Sequence, residues 1–241
     1  MSNVSHQNII GYNPSVSTTA STVWSGGATS YVQLTSGVAM EAVSASADDT
    51  AAGTGARTIK VDGLLGTTGN EYVPFGETVT LLGATPVALA NTNVIAINRT
   101  QVLTAGSGLV NAGKIDVRAV SGAAVKSSIQ ALAESKGISA DFVFTVPASR
   151  YGLLKRVRAY ARTNTGDIWV YLKTQSSTGI VQIQGVGQKS LQVAGFSDGY
   201  IEIDFGIGLY IPEKTLITLI VDVSAGTPLV SAIGELELHA S

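Results

Sequence analysis

The chain has 241 residues, a formal net charge of −2 and no cysteine, and only 13% of its residues are charged against 45% hydrophobic. A charged share about half the usual ~25% excludes a disordered chain and a long-helix protein rich in Glu and Lys, and the weak net charge offers no basic field for nucleic acid. Without thiols there is no disulfide or thiolate metal site, and no run approaches the ~18 apolar residues of a membrane helix.

The length suits one large β domain or two smaller ones. Low charge implies either a surface largely covered by neighbouring subunits or a Ser/Thr-decorated β surface, and composition leaves both open. The N-terminus lacks a basic region followed by an apolar one, so no secretory signal is expected.

Residues 1–40 contain no Lys, Arg, Asp or Glu. Disordered arms usually carry charge, so residues 1–37 read as an extended neutral strip laid on its own domain or on a neighbouring subunit, with Tyr12, Trp24 and Tyr31 as large anchors. Residues 38–122 read as a β-rich domain. Alternating or β-branched runs predict strands at 38–45, 57–63, 77–82, 93–103 and 114–120, separated by Gly, Asn and Pro turns. Residues 121–137 fit both a helix, with Val125, Ile129, Leu132 and Lys136 at helical spacing, and a strand with Val125, Ser127, Ile129 and Ala131 on one face; the β surroundings favour the strand. Residues 123–241 read as a C-terminal domain, in which a second series from 138 onward supplies eight short strand candidates: ISADFVFTVP, LLKRVRAYAR, DIWVYLKTQ, GIVQIQGV, YIEIDFG, LYIP, TLITLIVDVS and SAIGELELH. Regular short strands without intervening helices predict an all-β chain whose C-terminal part is an antiparallel jelly-roll-like sandwich.

Chemistry is sparse. The two histidines, His6 and His239, lie near the chain ends, a poor basis for rigid acid–base catalysis. The run Gly185-Val186-Gly187-Gln188-Lys189-Ser190 fails as a phosphate loop because Lys189 does not follow glycine and no strand–loop–helix surrounds it. Glu202 and Asp204 could be a carboxylate pair, but alternation in YIEIDFG explains them. The strongest charge feature is 150–162, RYGLLKRVRAYAR, with five of the fifteen basic residues. On a strand, Arg156, Arg158, Tyr160 and Arg162 share one face. Three readings stay open: an outer face paired with cross-strand acids such as Asp167 or Glu202, a subunit contact, and a nucleic-acid stripe.

The run SASADDTAAGTGARTIKVDGL, 44–64, combines Asp48, Asp49, Gly53, Gly55 and Arg57 ahead of an alternating strand. Its glycines lead into a strand rather than a helix N-terminus, and its aspartates lack the spacing of a calcium loop. It therefore reads as a structural turn, with Asp48 or Asp49 accepting loop N–H groups and Arg57 pairing with one of them.

With ETVTLLGATPV, VIAINRTQVLTAGSG and NAGKIDV downstream, and GYNPSVSTTASTVWSGGATSY and ADFVFTVPASRYGLLKRVRAYAR at either end, this run resembles a family of structural virion proteins from tailed phages of marine and fresh waters. The loop GLLGTTGNEYVPFGE departs from that family's short Gly-Leu-Asp turn. The resemblance implies a non-enzymatic, cofactor-free capsid decoration, cement or minor capsid protein on the virion surface, assembled in the host cytoplasm. Its partners would be copies of itself, a trimer being one arrangement, and the major capsid protein. Asn13, Pro14, Trp24, Tyr31, Arg156, Arg158 and Arg162 are the expected partner-contact residues. The alternative is a fibre, spike or tail module binding a host glycan through Tyr72, Phe75 or Trp169.

Overall fold

A computed structural model of the chain describes residues 4–26, 30–66, 72–120, 122, 124–131, 137–162, 168–179, 181–184 and 198–241. Among these residues sixteen strands follow one another: β1 Ser5–Asn13, β2 Ser21–Thr22, β3 Met40–Ser44, β4 Ala56–Leu65, β5 Val73–Thr80, β6 Val87–Ala88, β7 Val94–Ala105, β8 Ile115–Ala119, β9 Val125–Ile129, β10 Val143–Thr145, β11 Arg150–Arg162, β12 Ile168–Ser176, β13 Val181–Gln184, β14 Asp198–Ile211, β15 Thr215–Val223 and β16 Leu229–Ala240. All pairings are antiparallel, and no helix occurs among the described residues.

The chain forms two compact units, one of residues 1–32 with 141–241 and the other of 33–140. This division differs from the 1–37, 38–122 and 123–241 read from composition. The neutral N-terminal strip supplies β1 and β2 to the sheets of the C-terminal unit. Residues 125–129 are a strand, as the β surroundings suggested, while Leu132 and Lys136 lie outside the described residues.

The first unit has two sheets, ordered β1-β16-β11-β14 and β10-β15-β12-β13, with β2 also on β15. Their inward residues fill one core. Ile9, Leu154, Val157, Ile201 and Leu236 come from the first sheet, and Phe144, Val170, Leu172, Leu219 and Val221 from the second. The alternation in β16 shows why this sequence makes a strand: Val230, Ala232, Gly234, Leu236 and Leu238 are buried, while Ser231, Ile233, Glu235 and Glu237 between them face outward.

β2 and β10 together make one interrupted strand along β15. Ser21 and Thr22 pair with Val221 and Ile220, and Val143–Thr145 pair with Thr218–Leu216. The gap is closed by Val23 N–H donating to the Leu219 carbonyl at 2.8 Å and Phe142 N–H donating to Val23 at 2.9 Å. Counting β2 and β10 as one, the nested pairings are first with last (β1–β16), second with seventh (β2/β10–β15), third with sixth (β11–β14) and fourth with fifth (β12–β13).

Phe142, fully buried, needs two glycines beside it. A Cβ on Gly11 would lie 2.6 Å from the Phe142 Cβ, and one on Gly234 2.7 Å from its Cζ. The residues read as two strands, YIEIDFG and LYIP, are one strand, β14, interrupted by an outward bulge. Leu209 pairs with Leu154 and Asp204 with Arg156, so residues 205–208 face Lys155 alone.

The second unit has sheets β6-β3-β8-β9 and β5-β4-β7 around Met40, Ile59, Val61, Leu81, Val94, Ile97, Ile115, Val117 and Ile129.

Because residues 33–140 are inserted into one strand whose two halves are bonded to each other, the first unit has a complete core without them. Deleting 33–140 and joining Val32 to Asp141 through about four Gly/Ser residues is expected to leave a soluble β protein. It should unfold in one cooperative transition by circular dichroism. An unfolded or aggregated product would show that the first unit depends on the insert.

Candidate functional site

The run at 44–64 folds around one carboxylate. Asp49 is fully buried and accepts four hydrogen bonds: from Ser44 Oγ at 2.5 Å, Ala56 N–H at 2.7 Å, Ala112 N–H at 2.8 Å and Gly113 N–H at 3.0 Å. Its own carbonyl accepts from Gly83 N–H at 2.8 Å. The side chain thus ties the start of β4, the end of β3 and the 111–113 turn, and the backbone carbonyl of the same residue adds the turn after β5.

The glycines leave it room. A Cβ on Gly55 would stand 2.2 Å from Asp49 Oδ1, one on Gly53 1.9 Å from the Asp48 carbonyl, and one on Gly106 2.2 Å from the Gly53 carbonyl. Asp48 is exposed. Arg57 donates from Nε to the Gly53 carbonyl at 3.2 Å instead of to either aspartate, because that carbonyl lies on the turn directly before it. A carboxylate offers about four lone-pair positions, and those of Asp49 are filled by protein donors. Among the described residues no group of three or more His, Asp or Glu is placed to hold a metal.

The basic stripe of β11 lies on the outer face of the first sheet, between acidic strands. Arg156 Nη1 lies 3.2 Å from Glu202 and Arg156 Nη2 3.8 Å from Asp204. Arg158 lies 3.4 Å from both Glu202 and Glu235, and Lys155 Nζ 3.2 Å from Glu237. The reading in which cross-strand acids such as Glu202 pair with the stripe describes this face; Asp167 lies outside the described residues. Arg162 is exposed at the strand end.

Burial raises the Glu237 carboxyl, but hydrogen bonds from Lys155 and His239 outweigh it and hold the group below its ordinary range. Glu202 is also held low, first by the Tyr200 hydroxyl and then by Arg156 and Arg158 against desolvation. Sequence reasoning placed Tyr160 on this face but missed the tyrosines grouped around it. Tyr160 pairs with Tyr200 across β11 and β14, while Tyr151 stacks on His239 at 5.0 Å and meets Tyr210 at 5.4 Å. Tyr200 and Tyr210 are more than half exposed. Each lies on the outward phase of its strand, a signal the alternation of β14 already carried.

Three of the expected contact residues are buried within their own unit. Asn13 donates to the Thr22 carbonyl at 3.2 Å and accepts from Ser15 N–H at 3.0 Å. Trp24 and Tyr31 pack edge to face at 5.5 Å. Burial, with the nearby charge of Asp141, pushes the Tyr31 phenol up. Asp141 in turn accepts from Ser25 N–H at 3.1 Å and Ser25 Oγ at 2.9 Å. These residues seal the interrupted strand, so of the N-terminal set only Pro14 is exposed. The aromatics named for glycan stacking fare similarly: Tyr72 is buried, and Phe75 packs against the core of the second unit. Trp169 is half-buried in β12.

No family model and no curated protein matches the chain. Solved structures with some likeness come from infectious bursal disease virus. The Gt strain is 10% identical at a TM-score of 0.26, with 99% of this chain and 72% of that one covered. Virus-derived T=1 particles are 12% identical at a TM-score of 0.27, with 99% and 70% covered. A VP2 subviral particle is 10% identical at a TM-score of 0.25, with 99% and 72% covered. Superpositions this weak establish neither a shared fold nor a shared function.

Two outcomes are expected. Asp49→Ala strands buried N–H donors and should lower the unfolding free energy by on the order of 3 kcal/mol in urea titrations, whereas Asp48→Ala should stay within about 0.5 kcal/mol. Equal effects at the two positions would sink the assignment of Asp49 as the centre. Because Glu202 and Glu237 titrate lower in the folded state, the stability they add is present above the ordinary carboxyl pKa of about 4.3 and is lost as pH falls through their folded values. E202Q should therefore narrow the gap between melting temperatures at neutral and acid pH; an unchanged gap would show that Glu202 contributes nothing to it.

Proposed function

We propose that this chain is a non-enzymatic structural protein of a tailed-phage virion, a capsid-associated decoration, cement or minor capsid protein. Its setting is the particle surface, after assembly in the host cytoplasm. The observation that carries the reading is the resemblance of 44–64, extended by matching segments over most of the chain. The fold supports it in two ways. That run is built around a saturated carboxylate, which fits kinship through a shared structural turn and not through a shared ligand. The strands of the first unit, moreover, pair first with last across two sheets, a pattern that supports a jelly-roll-like sandwich, the kind of architecture that serves capsids and lectins alike.

In this role the protein acts through area. Its partners are copies of itself and the major capsid protein, and it stabilises the shell wherever the added contacts exceed the ordering cost of association. Arg156, Arg158 and Arg162, with Tyr160, Tyr200 and Tyr210 around them, are the side chains this reading offers to neighbours. Tyrosine and arginine are the residue types enriched in such contacts.

Purified protein is expected to add to isolated empty capsids at fixed stoichiometry and to raise their melting temperature. Failure to bind capsids, together with binding to host cells or their surface polysaccharide, would replace this reading with that of a glycan-binding tail module.

A further inference from the structure

The two edges of the first sheet differ. One edge is β14, where residues 205–208 bulge opposite Lys155. Gly206 and Gly208 hold φ of 61° and 111°, and Ile207 projects at 91% exposure. The bulge is fastened by Asp204, which accepts from Gly206 N–H at 2.7 Å, and by Lys155, which donates to the Ile207 carbonyl at 2.9 Å. A bulge with charged neighbours is how an edge strand is protected from pairing with another chain.

The other edge is β1, SHQNIIGYN, nine residues in unbroken register with β16 and without Lys, Arg, Asp, Glu or Pro. Among the described residues no strand lies on its far side, and residues 5–11 make no backbone hydrogen bond beyond the β1–β16 ladder. The outward residues Asn8 and Ile10 are exposed, Ile10 at 40%.

We propose that β1 is an interaction edge that pairs antiparallel with β1 of a second copy of this chain across a two-fold axis, joining two four-stranded sheets into one of eight strands. Two observations select this occupant. An uncharged strand meets its own copy without like charges facing each other. Pairing β1 with β1 consumes both open edges and leaves a bulged β14 at each end, so the assembly closes; pairing β1 with β14 would need the obstructed edge and would propagate as a filament. The inference goes beyond the virion reading and does not depend on it.

The test is mass measurement by light scattering and sedimentation over a range of protein concentrations. The wild-type chain should give a concentration-dependent dimer, or a higher assembly built from dimers. The double variant Asn8→Lys with Ile10→Lys sets like charges across the axis and should weaken dimerisation at least about tenfold. Ile10→Thr, which keeps β preference without charge, should hold dimerisation within about twofold. All three should share one far-ultraviolet circular dichroism spectrum, which separates lost pairing from lost folding. Amide exchange in 5–11 should quicken as the dimer is diluted. A wild-type monomer at every concentration, a trimer alone, or a dimer indifferent to the two lysines would overturn the pairing. A monomer that still adds to capsids would leave the virion reading standing.

Discussion

The first unit rests on the closure of its interrupted strand. Val23 and Phe142 are far apart in sequence, yet Phe142 N–H donates to the Val23 carbonyl at 2.9 Å, and Ser25 holds Asp141 two residues further out. Between these points the chain departs to build a second unit with its own core. Without the closure β15 would have half a partner on that edge, and β1 could not pair with β16 above a finished core. The ring of Phe142 occupies the space that Gly11 and Gly234 leave open. Those two glycines, scattered and unremarked in the sequence, belong to the same constraint. Loop-closure entropy grows only slowly with loop length, which is why a strand can tolerate an insertion of this size when its two halves are bonded together.

Asp49 has the corresponding role in the second unit. A turn between β3 and β4 could have been held by local backbone bonds alone. Here one buried carboxylate gathers donors from Ser44, Ala56, Ala112 and Gly113, so a local motif also fixes a long-range contact. A buried charge is tolerable when hydrogen bonds replace its hydration, and removing it leaves several donors without partners. This accounts for the tight sequence of the run: the glycines are where side chains would strike Asp49 or the Asp48 carbonyl, and Ser44 is a donor.

The β character, most strand positions and the alternation of the long strands were legible, because each strand buries one face and period two records that directly. The role of Asp49 as acceptor was legible in kind, though not its partners at 112–113, which local sequence does not encode. The membership of β1 and β2 was hidden. Their composition is polar and neutral, and only pairing with β16 and β15, more than two hundred residues away for β1, makes them strands. The break between YIEIDFG and LYIP was misread because glycines signal both a turn and a bulge; the choice was made by Leu154 and Arg156 on the neighbouring strand. The neutral strip with Trp24 and Tyr31 fits its own domain and a neighbouring subunit equally well as a sequence; the structure lays it on its own unit, with both aromatics buried there.

The charges also follow a division of labour. Most of the basic stripe sits on β11 between acids from β14 and β16, so the middle of the outer face is electrically satisfied. Each exposed pair contributes little to stability, about 0–1 kcal/mol. A partner that covered the ladder would have to strip water from several pairs at once, and desolvation can exceed what the new contacts return. Such a face favours polar, hydrated contacts, made by its arginines and the tyrosines around them, over a dry interface. The neutral edge at β1 has the opposite character: its backbone groups can be satisfied by another strand with no charge to desolvate. A chain so sparing of charge has concentrated it where it restrains contact and withheld it where contact can form.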